Sequence, residues 1–336
     1  MGNALKDQKD YDAAISMYKK VIEFAPDFAD SYNSLATSFQ LKGVYEAAAE
    51  NYNKALTIWG SISDTNLPKY RDCTAKLAEC LYEMNKVDDL NGLILKAADE
   101  DPANIRLASL CSFITQQWKQ ENVYPFCREP LKFLKVSNIK GYFTSFEHFS
   151  KALINDLNNL SNTWEPADKT TRKGFQTKEI LFETKNKGLQ KLKRIITKEI
   201  NDYHALFKEN SSIFITHWPE DLKIKGWYVR LLEGGHQDSH IHPGGWLSGV
   251  VYLKTIDNPI ENEGSIEFGL HGYNYSIYND NHPKKSHSPN IADLVLFPSC
   301  LFHKTIPILQ KVERNVIAFD LIPNNTKPTP SSAKTS

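Results

Sequence analysis

The chain has 336 residues, with Lys+Arg 40 against Asp+Glu 40, a formal net charge of zero, and 41 % hydrophobic and 24 % charged residues. That length carries two or three domains with ample core, and the balanced charge excludes a whole-chain attraction to nucleic acid or an anionic membrane. No apolar run reaches the roughly 18–20 residues of a membrane-spanning helix, and Met1–Lys20 lacks the apolar stretch of a signal peptide. Met-Gly opens the chain, but Lys6 stands where myristoylation needs Ser or Thr. Cys73, Cys80, Cys111, Cys127 and Cys300 are scattered, odd in number and free of any CxxC. They predict a reducing compartment and hence a cytoplasmic protein. The histidines are unevenly spread, because nine of the ten follow residue 200.

In chain order, the first hundred residues carry an internal repeat. Tyr11, Ala14 and Tyr18 recur as Tyr45, Ala48 and Tyr52, and Pro26 closes the first unit while Leu35, Ala36 and Gly43 continue the second in step. A degenerate third unit follows an insertion around Ser61–Lys69, with Leu77, Ala78, Ala97 and Pro102 at the expected offsets. The pattern resembles the tetratricopeptide repeat, a helix–turn–helix in which small residues let paired helices approach and large ones fill the gaps. The repeat tyrosines are then core or groove residues. Met1-Gly2 falls mid-way along a first repeat helix, which predicts a truncated array or preceding repeats, and a frayed N-terminus. Up to Pro102 acidic residues outnumber basic ones, a mild bias toward basic partners at the repeats.

Residues 103–136 keep a helical pattern (Ile105, Leu107, Leu110, Phe113) that breaks near Pro125 and Pro130. Two amphipathic helices follow, one with the stripe Phe146, Phe149, Leu153 and Leu157, the other with Leu189, Leu192, Ile196, Ile200 and Tyr203. Beyond about residue 212 the texture becomes short β-rich runs between Gly, Pro and Asn: Ile213–Thr216, Trp227–Leu232, Trp246–Lys254, Ser265–Phe268, Leu294–Pro298 and Asn315–Ile322. Such spacing predicts a sandwich or barrel of the jelly-roll kind. The segment Asn324–Ser336 is rich in Pro, Thr, Ser and Lys and predicts disorder.

The informative segment is Gly234-Gly235-His236-Gln237-Asp238-Ser239-His240-Ile241-His242-Pro243. Extended throughout, it would turn His236, Asp238, His240 and His242 to one face. Neutral imidazoles with a carboxylate suit a divalent first-row metal, and a facial set with open positions suits non-haem Fe(II). A further ligand must come from elsewhere in the fold, and His303, at the end of the apolar run Leu296–Phe302, is the best candidate. Eleven residues on, Arg314 opens another apolar run; a buried Arg needs an anion, and its planar fork suits a carboxylate. Arg314 alternatively pairs with Asp320, six residues on and on the same face.

Residues 137–325 resemble the 2-oxoglutarate/Fe(II) oxygenases, in particular members that follow tetratricopeptide repeats. The matching residues are His240-Ile-His242-Pro243, Ser248-Gly249-Val-Val-Tyr252-Leu253, Phe297-Pro298-Ser299, His303, and Arg314 through Pro323, with Thr171-Arg172-Lys-Gly174-Phe-Gln176-Thr177 upstream. The resemblance implies a double-stranded β-helix holding Fe(II), with 2-oxoglutarate and O2 as cosubstrates and Arg314 on the distal carboxylate of 2-oxoglutarate. Ser248 and Tyr252 share a strand face and either touch cosubstrate or pack. The family signature is His-x-Asp/Glu, whereas the strongest local match here is His240-x-His242. Three ligand sets therefore compete: His240, His242 and His303; a set in which His236-x-Asp238 restores the carboxylate; and His240 with His303 alone, water filling the gap, as in the aspartyl β-hydroxylases. The first is adopted, with Asp238 in reserve. His271, His282 and His287 fall in a polar loop, Gly269–Pro289, and read as solvated.

The expected architecture is multidomain α + β: tetratricopeptide repeats over 1–102, a helical linker over 103–136, a jelly-roll or cupin-like oxygenase domain with supporting helices over 137–325, and a disordered tail over 326–336. The expected activity is Fe(II)- and 2-oxoglutarate-dependent hydroxylation, with the repeats binding a protein or peptide and with neither nucleic acid nor membrane as partner. The alternatives are a repeat scaffold whose barrel has lost iron binding, and a metal-binding cupin of different chemistry.

Overall fold

Ala14, Ala36, Ala48, Ala55 and Ala78 are each fully buried, as closely approaching helices require. A computed structural model describes residues 2–61, 68–167, 169–280 and 283–324, which divide into two compact units, 2–110 and 111–324. In the first unit, α1 (Gly2–Asp7), α2 (Tyr11–Phe24), α3 (Ala29–Leu41), α4 (Tyr45–Ser61), α5 (Pro68–Glu83) and α6 (Val87–Glu100) pack each against the next. Left-handed residues at Lys9, Gly43 and Asn85 follow the ends of α1, α3 and α5, where the chain reverses. Tyr18 and Tyr52 are buried, and the Tyr52 hydroxyl donates to Gln40 Oε1 at 2.7 Å. Helix α1 begins at Gly2, and Tyr18 Oη donates to Asn3 Oδ1 at 2.5 Å, which ties α1 to α2; Met1, at the end expected to fray, lies outside the described residues. Most of the expected insertion, residues 62–67, lies outside the described residues, as does the expected tail over 326–336.

The division between the units falls inside α7 (Ile105–Trp118). Within the second unit come β1 (Lys135–Asn138), α8 (Phe146–Asn158), β2 (Asn162–Trp164), β3 (Thr171–Thr177), α9 (Lys187–Phe207) and α10 (Ile213–Thr216). After them run β4 (Leu222–His240), β5 (Leu247–Lys254), β6 (Ile266–Gly269), β7 (Lys284–His287), β8 (Asp293–Pro298), β9 (Phe302–Thr305) and β10 (Arg314–Pro323). The strands form one antiparallel sheet in the order β1-β8-β5-β10-β4-β9-β6-β7, with β3 on β4 and β2 on β3. That sheet is curled. Trp227, Val229 and Leu231 of β4, Val250 and Tyr252 of β5, Val295 and Phe297 of β8 and Val316 of β10 share one apolar cluster with Ile266 and Phe268 of β6. The cluster is the jelly-roll core, and α8 and α9 turn their stripes inward, capped by Ser145 and Asn186.

Two runs differ from expectation. Ile213–Thr216, read as a strand, is a helical turn: Phe214 and Ile215 are both buried, and Phe214 enters an aromatic cluster with Phe126, Tyr203 and Trp246. Lys284–His287, read as loop, is β7, paired with β6; its exposed polar side chains hide the strand pattern.

Candidate metal centre

β4 does not stay extended through the histidine segment. Gly234 takes φ +75°, a left-handed conformation natural to glycine, and the register against β9 shifts between Gln237 and His240. The expected common face is therefore split. The Asp238 carboxylate turns to Arg172 at 2.9 Å and stays about half exposed. The His236 Nδ1 lies 3.0 Å from the carbonyl of Gly234. His240 ends β4 opposite His303 of β9. Beyond the strand, His242 is fixed by its N–H to the Ser299 carbonyl at 3.0 Å, and Trp246 re-enters the sheet by donating to Leu321 at 2.7 Å. One coordinating nitrogen from each of His240, His242 and His303 lies within 4.8 Å of the others, the only such group of potential metal ligands among the described residues.

Each imidazole is anchored through Nδ1. That of His240 lies 2.6 Å from the Asp238 carbonyl, that of His303 3.1 Å from the Leu301 carbonyl, and that of His242 2.9 Å from Asp320 Oδ2. These oxygens accept only, so Nδ1 carries a proton, and wherever a ring is neutral its Nε2 carries a lone pair. The Nε2 atoms of His242 and His303 stand 3.2 Å apart. Two lone pairs so close repel unless a cation or proton lies between them. Two imidazole ligands of one ion, bound at about 2.1 Å and at right angles, stand about 3 Å apart, so the spacing fits a shared metal. Burial and then the neighbouring His242 push the His240 imidazole down to about 3, and burial and then its two neighbours push His303 well below its ordinary value. Both rings thus stay neutral, the form a metal requires. Trp227 stacks on His242, and Phe297 and Phe268 flank His303.

Arg314 lies deeper in the same curled sheet and is 2 % exposed. Its Nη2 donates to the Tyr252 hydroxyl at 3.2 Å and its guanidinium lies 4.8 Å from that ring, while Nε and Nη1 are buried without a partner. Asp320 is not its partner, because that carboxylate accepts from Ser248 and faces His242. Ser248 thus stands beside Asp320, its register partner across β5 and β10, and not beside Arg314. His271 and His287 are half-buried and bonded, to the Tyr275 carbonyl and the Asp293 carboxylate, which corrects their reading as solvated; His282 lies outside the described residues. Sequence reasoning passed over Asp320 as a histidine partner; its even offset from Arg314, which turns both inward, was the available signal.

Comparison with known proteins gives two family matches: residues 225–320 match the family described as "Putative 2OG-Fe(II) oxygenase", and residues 2–43 match the TPR repeat. No curated protein matches the chain. Among solved structures, HygX from Streptomyces hygroscopicus, with nickel and 2-oxoglutarate bound, is similar at 16 % identity over 59 % of this chain and 88 % of that one, TM-score 0.38. A Pseudomonas putida prolyl-4-hydroxylase is similar at 12 % identity over 57 % and 93 %, TM-score 0.39. A Trichoplax adhaerens prolyl hydroxylase, in complex with a hypoxia inducible factor peptide fragment, is similar at 13 % identity over 66 % and 92 %, TM-score 0.42. The matched family is named for Fe(II) and 2-oxoglutarate, and the three-imidazole set fits that ion. No helix among the described residues is long and apolar enough to cross a membrane. The chain carries a tetratricopeptide repeat at its N-terminus and, over 225–320, a domain of the 2OG-Fe(II) oxygenase family.

Proposed function

We propose that residues 111–324 form an Fe(II)- and 2-oxoglutarate-dependent oxygenase, a hydroxylase, and that the repeats bind a protein or peptide, either partner or substrate. The observation that carries the reading is the convergence of one ring nitrogen from each of three histidines in a curled sheet that also buries an incompletely paired guanidinium. In this reading His240, His242 and His303 hold Fe(II), and Arg314, with the Tyr252 hydroxyl beside it, binds the distal carboxylate of 2-oxoglutarate through its free nitrogens. Bound Fe(II) supplies the coupling of O2-driven oxidative decarboxylation of 2-oxoglutarate to insertion of one oxygen atom into a substrate C–H bond, with succinate and CO2 as co-products. Trp227, Phe268 and Phe297 wall the centre and keep water from its rear. The scaffold alternative gains where neither His242 nor Asp238 stands near both His240 and His303, and His242 stands there, which favours the oxygenase. Solenoids of paired helices present extended concave surfaces, which is the ground for a peptide or protein at the repeats.

Anaerobic Fe(II) plus 2-oxoglutarate is expected to give a weak visible charge-transfer band, lost in His240→Ala and His303→Ala, and admission of air is expected to release succinate. No band and no succinate overturns the reading.

A further inference from the structure

The family signature has a carboxylate among its iron ligands, and the only candidate for that place in the local sequence, Asp238, faces Arg172 instead. Another carboxylate stands one bond further back. Asp320 Oδ2 lies 2.9 Å from His242 Nδ1, and its other oxygen accepts from Ser248 Oγ at 2.7 Å. Ser248 Oγ in turn lies 2.8 Å from Ser299 Oγ. Asp320 is 8 % exposed, so these partners settle its orientation.

We propose that Asp320 is the positioning residue of the metal centre, holding His242 by its far nitrogen and supplying from behind the negative charge that a ligating carboxylate brings. The proposal rests on the reading of His240, His242 and His303 as metal ligands. His240 and His303 give their Nδ1 protons to neutral backbone carbonyls, whereas His242 faces a carboxylate. A carboxylate behind an imidazole fixes its tautomer and raises its basicity more than a carbonyl does. The placement is stiff: Asp320 and Ser248 are register partners in the middle of the sheet, and Trp227 stacks on the His242 ring. Three neutral imidazoles leave a dication's charge at +2, and the carboxylate one hydrogen bond away brings the local sum to +1. That is the sum at a site with two histidines and one carboxylate.

The test titrates the full chain with Co(II) under argon, reading affinity from the visible band of the bound ion, for wild type, Asp320→Asn, His242→Ala and the double variant. Asp320→Asn is expected to weaken Co(II) about 10–100-fold and to change nothing further in the His242→Ala background, because it acts through that ring. Equal affinity of Asp320→Asn and wild type overturns the proposal alone, and so do additive losses in the double variant. A wild-type chain that takes up no Co(II) overturns it together with the ligand reading. Should Asp320→Asn fail to fold, Ser248→Ala frees the second carboxylate oxygen and is expected to weaken Co(II) several-fold, with an affinity equal to wild type overturning the proposal.

Discussion

Replacing Arg314 with methionine separates a structural guanidinium from a ligand-binding one. The side chain is 2 % exposed, with Nε and Nη1 unpartnered and a single donated bond, to Tyr252. Without ligand, a buried and incompletely paired charge is a cost, so Arg314→Met, similar in length and apolar, is expected to leave stability unchanged or raise it by about 1–3 kcal/mol. With 2-oxoglutarate the sign reverses. Two charge-assisted hydrogen bonds at about 1.5–3 kcal/mol each are lost, which weakens binding by at least about 100-fold. At 2-oxoglutarate 100 times the wild-type Kd, the ligand stabilises wild type by about 2.7 kcal/mol and the variant by about 0.4 kcal/mol. For a unit the size of 111–324 that corresponds to a Tm rise of about 5–11 °C against about 1–2 °C. The assay is thermal unfolding with Co(II) under argon, with and without 2-oxoglutarate. A variant that loses several degrees without ligand yet keeps the wild-type 2-oxoglutarate shift refutes the reasoning and favours a cupin of different chemistry.

Three further expectations concern the frame around the site. Burial raises the Glu263 carboxyl, but donors outweigh it: the Ile260 N–H, the Gln310 side chain and the Gln310 and Leu309 N–H groups hold it at about 2, from an ordinary 4.5. A depressed carboxylate stabilises above its unfolded pKa and loses that contribution as pH falls from about 4.5 toward 2; Glu263→Gln should flatten the pH dependence of urea unfolding across that window, and an unchanged acid limb argues against it. A Cβ on Gly249 would overlap the Phe319 ring and lie 2.8 Å from Leu296 Cδ2, both buried. Gly249→Ala is expected to cost about 2–3 kcal/mol in urea unfolding, and an unchanged midpoint contradicts that close approach. In the repeats Arg106 grips buried Glu79 at 2.7 and 2.9 Å, so Arg106→Ala removes the cation from beside a buried carboxylate and should destabilise residues 2–110 by about 3 kcal/mol. A loss under about 1 kcal/mol would show that Gln40, 3.0 Å from Glu79, suffices as its partner.

The sequence by itself determined what depends on spacing along one element. The 34-residue period placed Ala14 and Ala48 and Tyr18 and Tyr52 at buried helix contacts, because residues three and four apart share a helix face wherever the helix lies. The stripes of α8 and α9 and the inward offset of Arg314 on β10 were legible for the same reason. Motif spacing singled out His240, His242 and His303, but the choice between His242 and Asp238 was not a property of the segment alone. Alternation turns both residues the same way, and only the register shift against β9 and the end of β4 at His240 separate them. Thr171 and Arg172 of β3 then pair with Gln237 and His236, while Arg172 draws off the Asp238 carboxylate. Ile213–Thr216 shows the same limit, since three apolar residues and a threonine read equally as a strand or a helical turn until Phe126 and Trp246 pack on Phe214. A one-residue slip in a strand moves every later side chain to the other face, and the strands that set the slip come from distant parts of the chain. The tertiary structure therefore decided which of the four clustered side chains meet His303, and which carboxylate stands behind them.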